Sequence, residues 1–259
     1  MTSIPFFQVD AFAERPLTGN PAAVMPLERW LEDELMQRIA AENNLAETAF
    51  TVPSERDDAD YDLRWFTPTV EVNLCGHATL ASAHVLIHAE PIRFSTRSGI
   101  LSVARSGDLL ELDMPAAEVE PADLPDLLGA LGIEGETFLG RQGNGNAVVL
   151  VENEAAVRAV RPDFVALAKL PYLVSVTAPG DQQEVASRVF AAYHGIAEDP
   201  VTGSAHTALV PFWAKRLGRT EFTALQASER TGILHCRLAG ERVILGGHCQ
   251  TVIVGQFQL

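Results

Sequence analysis

The chain has 259 residues, with 19 Lys and Arg against 34 Asp and Glu, which gives a formal net charge of −15. Hydrophobic residues make up 47% of the chain and charged residues only 20%, which is typical of a folded protein with a large core rather than of a disordered acidic chain. Because this excess of negative charge repels phosphate backbones and anionic lipid surfaces, we expect neither nucleic acid nor a membrane as a partner.

The cysteine count and the N-terminal sequence bear on the compartment. Three cysteines, Cys75, Cys236 and Cys249, are too few for a disulfide framework, and their odd number fits a reducing environment. The first residues, MTSIPFFQVDAF, lack the basic and apolar segments of a signal peptide. No apolar run approaches the roughly 20 residues that a transmembrane helix needs. We therefore expect a soluble, cytoplasmic protein.

Short apolar or alternating segments recur along the chain and predict a β-rich fold. Helical patterns are fewer. Residues 31–43 begin with acidic side chains that suit a helix N-terminus and end at two asparagines. Two more predicted helices, 77–88 and 204–217, start directly after glycines, and residues 118–131 indicate an exposed connection running into a short helix. The predicted strands are 6–12, 48–52, 61–66, 101–105, 109–114, 147–151, 173–177, 233–238, 242–245 and 251–257.

An internal repeat organises these elements. GNPAAV at 19–24 recurs as GNAVVL at 145–150, an offset of 126, and STRSGIL at 95–101 recurs as SERTGIL at 228–234, an offset of 133. Four further matches lie in the same order, and among them Arg64-x-Phe66 matches Arg188-x-Phe190. Recurrent turn chemistry would not preserve that order. We infer two copies of one β-rich unit, residues 1–115 and 116–259, related by a pseudo-twofold axis. The sequence leaves open whether the last strand returns to the first half.

The best-matched segments of the two copies are EVNLCGHATLASAH and EDPVTGSAHTALV, each a loop whose glycine opens a helix. At Gly76 and Gly203 the backbone can approach a ligand closely, and the free amides of a first helical turn attract an anion. If both helix starts face one cleft, they form an anion site without Lys or Arg. Glycines that merely fit tight turns are the alternative, which the pairing disfavours. The sequence therefore predicts a small carboxylate as the ligand.

Side chains that differ between the copies are the candidates for chemistry. Glu47 lies between a helix end and an apolar strand, where a partly buried carboxylate suits a general acid or base, although an edge or capping role is the usual one. His77, the first residue after a turn glycine, can donate to a carboxylate or shuttle a proton. Its counterpart Ser204 is expected by default to cap its helix. Asp199 precedes Pro200, and for this Asp capping and catalysis are equally well supported.

Other chemistries find less support. Cys75 lies at a helix start, where a thiolate would be stabilised. Its counterpart is Thr202, so a racemase with one thiol in each half does not fit. CxxC, HExxH, GxSxG and Walker motifs are absent from the sequence. The histidines show no metal-binding spacing, and the dinucleotide motif is not in its required order. We expect no metal and no cofactor.

Several segments resemble those of the PhzF-like phenazine-biosynthesis isomerase family over nearly the whole chain: FQVDAFAERPLTGNPAAV, MQRIAAENNLAETAF, LRWFTP, CGHATLASAHVL, EDPVTGSAHTAL and QASERTGIL. The resemblance implies an α+β diaminopimelate epimerase-like fold, with two pseudo-symmetric halves that each wrap a curved, mostly antiparallel sheet around a central helix. It also implies cofactor-independent proton transfer, as in the isomerisation of trans-2,3-dihydro-3-hydroxyanthranilate, and a homodimer. By this resemblance Glu47 is the acid/base, and His77, Asp199 and Ser204 are further catalytic residues.

The resemblance has two departures and leaves alternatives open. Asn73 stands where proline is common, and Thr231 replaces a common glycine, which affects the substrate more than the chemistry. An epimerase or racemase of the same fold and a catalytically silent carboxylate-binding protein remain alternative functions. Substrate contacts are predicted for the helix starts and their neighbours, namely Asn20, Gly76, Thr202 and Gly203.

Overall fold

The computed structural model describes residues 3–88, 90–141 and 145–259. The chain forms two compact units: unit 1 comprises the residues up to Met114 together with Gly246–Leu259, and unit 2 comprises Pro115–Leu245. In the described part of the chain, none of the helices has the length and apolar character needed to cross a membrane.

Strands outnumber helices, as the alternating segments predict. The strands are β1 Ser3–Ala11, β2 Asn20–Pro26, β3 Glu47–Pro53, β4 Tyr61–Phe66, β5 Glu71–Val72, β6 Ile92–Thr96, β7 Gly99–Ser106, β8 Leu109–Pro115, β9 Val119–Pro121, β10 Glu136–Gly140, β11 Asn146–Leu150, β12 Leu173–Pro179, β13 Val185–Ala191, β14 Ile196–Asp199, β15 Glu221–Gln226, β16 Gly232–Ala239, β17 Arg242–Gly247 and β18 Cys249–Gln258. The helices are α1 Asp33–Asn43, α2 Gly76–Leu86, α3 Pro125–Leu131, α4 Glu154–Ala159, α5 Phe164–Leu167 and α6 Gly203–Leu217, with a short 3₁₀ helix at Ala192–His194.

Unit 1 is a mixed sheet around α2. β1 pairs antiparallel with both β18 and β2, β2 runs parallel to β3, and β3 is antiparallel to β4. β4 pairs antiparallel with β5 and parallel with β6, and β6, β7 and β8 continue as antiparallel neighbours. α2 contacts strands on several sides of the sheet, namely β1, β2, β3, β7 and β18. It is consequently apolar or small on nearly every face, with Ala78, Leu80 and Ala81 fully buried.

Unit 2 repeats this order of pairing. β10 is antiparallel to β9 and β11, β11 is parallel to β12, and β12 is antiparallel to β13. β13 then pairs antiparallel with the short β14 and parallel with β15, which is antiparallel to β16. α6 contacts β11, β12 and β16, as α2 does the strands of unit 1. The duplication inferred from the sequence is therefore visible as one topology formed twice.

An arginine–glutamate pair occupies equivalent strands in both units. Arg64 of β4 donates from Nε and Nη2 to the two carboxylate oxygens of Glu71 at 2.7 and 2.8 Å. In unit 2, Arg188 of β13 donates in the same way to Glu198 at 2.8 and 2.7 Å. Each guanidinium also lies over the phenylalanine two residues along its strand, at 5.2 and 5.0 Å from the ring centroids. The residues matched by the sequence repeat thus make the same contacts.

The two central helices begin one residue earlier than predicted. Gly76 and Gly203 are themselves the first helical residues, and Cys75 and Thr202 are the N-caps. Ser204 therefore lies inside the first turn of α6, and the expectation that it caps the helix is wrong. An N-cap side chain accepts hydrogen bonds from backbone amides of the first helical turn. Ser204 lies within that turn, two residues after the N-cap, so its side chain is not placed to accept them.

Candidate active site

Three elements of unit 1 bring four polar side chains together. Asn20 begins β2 and Glu47 begins β3. Because these strands are parallel, with Ala22 opposite Glu47, both residues lie at the same end of the sheet. His77 lies in the first turn of α2, directly after the N-cap Cys75 and Gly76. α2 packs against β2 and β3, and His77 at its start contacts Asn20 and Glu47 at the strand ends.

His77 is the centre of this cluster. Its Nε2 lies 3.1 Å from Oε2 of Glu47, with only 4% of the His77 side chain and 11% of the Glu47 side chain exposed. Its Nδ1 lies 3.2 Å from the amide nitrogen of Asn20 and 3.6 Å from Sγ of Cys75. The imidazole therefore stands between a carboxylate on one side and an amide and a thiol on the other.

Burial and neighbouring groups shift the pKa values of both His77 and Cys75. Burial lowers the pKa of His77, but Cys75 and Glu47 beside the ring outweigh it and raise the pKa well above its ordinary value. Burial raises the pKa of the Cys75 thiol, and the charge of Glu47 raises it further. The expectation of a stabilised thiolate at this helix start is therefore wrong, because Cys75 is only 5% exposed.

The protonation state of His77 determines which side-chain atom of Asn20 can hydrogen-bond to its Nδ1. A neutral ring with a lone pair on Nδ1 accepts a hydrogen bond from the Asn20 amide nitrogen, which leaves the ring proton on Nε2, facing Glu47. An imidazolium carries protons on both nitrogens and requires the carbonyl oxygen of Asn20 at Nδ1. In either state Asn20 orients the ring with respect to the carboxylate, a role that its full burial supports.

In unit 2 a second polar group surrounds the start of α6. Asp199 ends β14, and its Oδ2 accepts a hydrogen bond from the Thr202 hydroxyl at 2.5 Å. Gln226, at the end of β15, accepts from the backbone amide of Thr202 at 2.8 Å and donates to the carbonyl oxygen of Asp199 at 2.7 Å. The Gln226 side chain is fully buried, and its hydrogen bonds connect the end of β15 to the start of α6. Gln226 was not predicted as a site residue, because nothing in its spacing distinguishes it from other strand-end amides.

Predicted site residues thus gather at two helix starts. Unit 1 contains Asn20, Glu47, Gly76 and His77, and unit 2 contains Asp199, Thr202, Gly203 and Ser204. Cys75, which the sequence assigned no role, belongs to the first group. Among the described residues, Glu47, Cys75 and His77 also form a set with one potential metal-ligand atom each, all within 4.8 Å of one another.

Solved structures of other proteins resemble this chain at two levels, the fold and the family. A hydroxyproline epimerase from Agrobacterium vitis superposes with a TM-score of 0.62 at 13% identity, covering 98% of this chain and 92% of the epimerase. The architecture is the α+β diaminopimelate epimerase-like fold, in agreement with the sequence prediction. A solved PhzF-family structure from Enterococcus faecalis is much more similar, with a TM-score of 0.91, 44% identity and complete coverage of both chains.

The sequence comparisons agree with this structural likeness. The family model described as phenazine biosynthesis-like protein matches residues 9–255. A Pseudomonas aeruginosa protein named an uncharacterized isomerase is 51% identical over 263 residues, covering 99% of each chain. The chain therefore belongs to the phenazine biosynthesis-like family, as its motifs predict.

Proposed function

We propose that the protein is an isomerase that moves a proton by general acid–base catalysis on a small carboxylate-bearing substrate. The observation that carries this proposal is the Glu47–His77 pair, a buried carboxylate held 3.1 Å from an imidazole at a helix start. A group that exchanges a proton with carbon must be positioned and shielded from bulk water, and this arrangement meets both needs. Relatives from Pseudomonas aeruginosa and Halalkalibacterium halodurans are named isomerases, which supports the reaction class.

In the proposed reaction Glu47 is the acid/base. Its carboxylate takes a proton from a substrate carbon as the C–H bond breaks, and the electron pair is delocalised into the adjacent unsaturated part of the substrate. Glu47 then returns the proton to a different carbon, so the double bond shifts and no redox change occurs. His77 holds the carboxylate in position through Nε2, while Asn20 fixes the ring from the other side. The chemistry requires no cofactor.

The start of α2 provides the binding groups in this proposal. First-turn amides near Gly76 are suited to a carboxylate because the N-terminal end of a helix carries partial positive charge. These amides lie beside His77 and therefore close to the Glu47 carboxylate. A substrate similar to trans-2,3-dihydro-3-hydroxyanthranilate carries both an acidic C–H bond and a carboxylate.

The test is proton–deuterium exchange in heavy water across a panel of small unsaturated carboxylates, followed by NMR. We expect wild-type protein to place deuterium at a new carbon with migration of the double bond. Glu47→Gln removes the base while preserving shape, and should slow exchange by roughly 10²–10⁴-fold. Glu42→Gln, the same change at an exposed glutamate of α1, is the matched control and should leave the rate unchanged.

Other outcomes identify the alternatives. Deuterium at an inverted stereocentre without double-bond migration would mean an epimerase or racemase. Carboxylate binding with no exchange on any compound of the panel would indicate a silent binding protein. Equal exchange rates for wild type and Glu47→Gln would remove Glu47 from the mechanism.

A further inference from the structure

A cavity of about 450 Å³ opens in unit 2, beside the end of α4 and the strands β13 and β14. Its size lies within the range of roughly 300–1,000 Å³ that is typical of small-molecule sites. Three arginines line it, Arg158, Arg161 and Arg188, together with apolar side chains and two glutamates. All of the lining residues belong to unit 2, whereas the Glu47–His77 pair belongs to unit 1.

The three guanidinium groups differ in their partners. Arg158 and Arg188 each form an ion pair with a glutamate. Arg161 instead donates from Nη1 to the backbone carbonyl oxygens of Arg158 and Val160, at 2.9 and 2.8 Å. Among the described residues no carboxylate pairs with Arg161. Its Nε and Nη2 atoms, the same pair with which Arg188 holds Glu198, are therefore available to a ligand.

A second guanidinium group lies next to the unpaired one. Nη1 of Arg188 also donates to the carbonyl oxygen of Val160, at 2.8 Å, so Arg161 and Arg188 share one acceptor. Adjacent like charges repel each other, and Glu198 compensates only the charge of Arg188. An anion bound by Nε and Nη2 of Arg161 would compensate the second charge through two charge-assisted hydrogen bonds.

The first copy of the repeat has a carboxylate at the equivalent place. Arg64, the counterpart of Arg188, donates from Nη1 to Oδ1 of Asp33 at 2.8 Å. At the offset of 126 residues between the copies, the counterpart of Asp33 is Ala159. Nη1 of Arg188 consequently bonds to backbone carbonyl oxygens, which carry no full negative charge. A carboxylate that unit 1 supplies from its own chain is thus replaced in unit 2, where a ligand can supply one.

The remaining lining residues indicate the class of ligand. The Phe164 ring is 39% exposed and packs edge-on against Phe190, with 6.2 Å between the ring centroids. Together with Pro162 it gives the cavity an apolar wall. Glu198 and Glu229 also line the cavity and would repel a second negative charge, which disfavours a phosphate dianion. A single carboxylate attached to a planar apolar body matches both walls.

We propose that this cavity binds a small aromatic carboxylate, with the carboxylate held by Nε and Nη2 of Arg161 and the ring packed against Phe164. Binding there does not depend on the reaction proposed for Glu47 and His77. Sequence patterns did not predict this site, because Arg161 and Arg188 come together only where β13 packs beside the end of α4.

The test is a titration of the full-length protein with 4-fluorobenzoate, followed by ¹⁹F NMR. We expect saturable binding to the wild type. Arg161→Gln, which keeps a donor for the two carbonyl oxygens, should weaken binding by about 10–100-fold, the loss expected for hydrogen bonds to a charged group. Arg38→Gln, the same change at an exposed arginine of α1, is the matched control and should bind as the wild type does. Equal binding by wild type and Arg161→Gln would overturn the proposal, as would the absence of saturable binding to the wild type.

Two further measurements use the wild-type protein alone. The neutral isostere 4-fluorobenzamide should bind at least about tenfold more weakly than 4-fluorobenzoate, and equal binding of the two would show that the cavity does not recognise a carboxylate. Inorganic phosphate that displaced 4-fluorobenzoate at a lower concentration than benzoate does would also contradict the assignment. Crystals soaked in 4-iodobenzoate should show an anomalous-scattering peak beside Phe164, with the carboxylate on Arg161. A peak found only at another place would refute the site.

Discussion

His206 lies fully buried in α6, with Nδ1 2.8 Å from the carbonyl oxygen of Thr202. Burial lowers its pKa from 6.5 to about 4. The folded protein therefore keeps His206 neutral, with Nδ1 donating to Thr202, at pH values where the unfolded chain already binds a proton there. The resulting stability is fully present above pH 6.5 and is lost as the pH falls towards about 4.

His206→Asn should remove this pH dependence while keeping a donor near the Thr202 carbonyl. A difference of about 2.5 pKa units corresponds to about 3 kcal/mol of unfolding free energy. We expect the wild type to lose about this much more than the variant between pH 7 and pH 4, as measured by urea unfolding at each pH. Parallel losses in the two proteins would show that His206 is protonated in the folded state.

The positions of the candidate site residues were predictable to different extents. Glu47 and His77 stand in segments that both the repeat and the family resemblance single out, and the structure places them in contact. The ionisation of Cys75 was wrongly predicted, since position at a helix start is visible in sequence but depth of burial is not. Gln226 was missed because its importance comes from hydrogen bonds to Asp199 and Thr202, residues more than twenty positions away.

At the scale of elements, α6 contains Pro211 without losing a hydrogen bond. Proline removes the amide that would reach the carbonyl of Thr207, four residues earlier. That carbonyl instead accepts from the backbone amide of Ala117 at 3.0 Å. The chain entering unit 2 therefore satisfies the acceptor that the proline leaves open in its central helix.

Pro211→Ala should consequently change the unfolding free energy by less than about 1 kcal/mol, although removing proline from a helix interior typically gains about 3 kcal/mol. The new amide at position 211 competes with Ala117 for an acceptor that is already satisfied. Urea unfolding measures the difference, and Ala117→Pro is the reciprocal change. Because it removes the donor, Ala117→Pro should destabilise the protein by about 1–3 kcal/mol. A gain near 3 kcal/mol for Pro211→Ala would contradict this account.

Strands with an alternating pattern were predicted well, whereas several others, including the buried strand β2, were not predicted. Residues 61–66 and 109–114 were found almost to the residue, because their side chains alternate between core and solvent. β5 and β14 contain charged residues within two to four positions and form strands only because a neighbour pairs with them. The sequence repeat does indicate β13. Arg188-x-Phe190 matches Arg64-x-Phe66 of β4, so a strand is expected at the equivalent position of unit 2.

At the scale of the whole molecule, the excess of 15 negative charges destabilises the compact state through self-repulsion. Added NaCl screens these charges, as the Debye length falls from about 30 Å at 0.01 M to about 10 Å at 0.1 M. If screening contributes about 1 kcal/mol, the thermal midpoint should rise by about 2–4 °C. Differential scanning calorimetry at pH 7.5 measures this. At pH 5, near the isoelectric point of about 4.8, the net charge is small and NaCl should raise the thermal midpoint much less. An equal rise of the midpoint at pH 5 and pH 7.5 would exclude charge repulsion as the cause.

The repeat made the overall topology predictable, since collinear matches along 259 residues require the same unit twice. The position of the final strand was not, because no sequence match identifies its neighbour. In the structure β18 pairs along the whole of β1, from Ser3 opposite Gln258 to Ala11 opposite Cys249. Backbone hydrogen bonds are indifferent to side-chain identity, so such a pairing leaves little trace in the sequence.

Because β1 pairs with β18, unit 1 can be completed only after unit 2 has been synthesised. Domains usually fold in the opposite order, with the N-terminal one first. Unit 2 is one continuous segment, Pro115–Leu245, and all of its strands are available before β18 is made. Unit 1 emerges first, yet β1 has no partner on one edge until Cys249–Gln258 follows. The half that carries Glu47 and His77 is therefore the last to be completed, and until β18 is made, backbone N–H and C=O groups along one edge of β1 lack their partners.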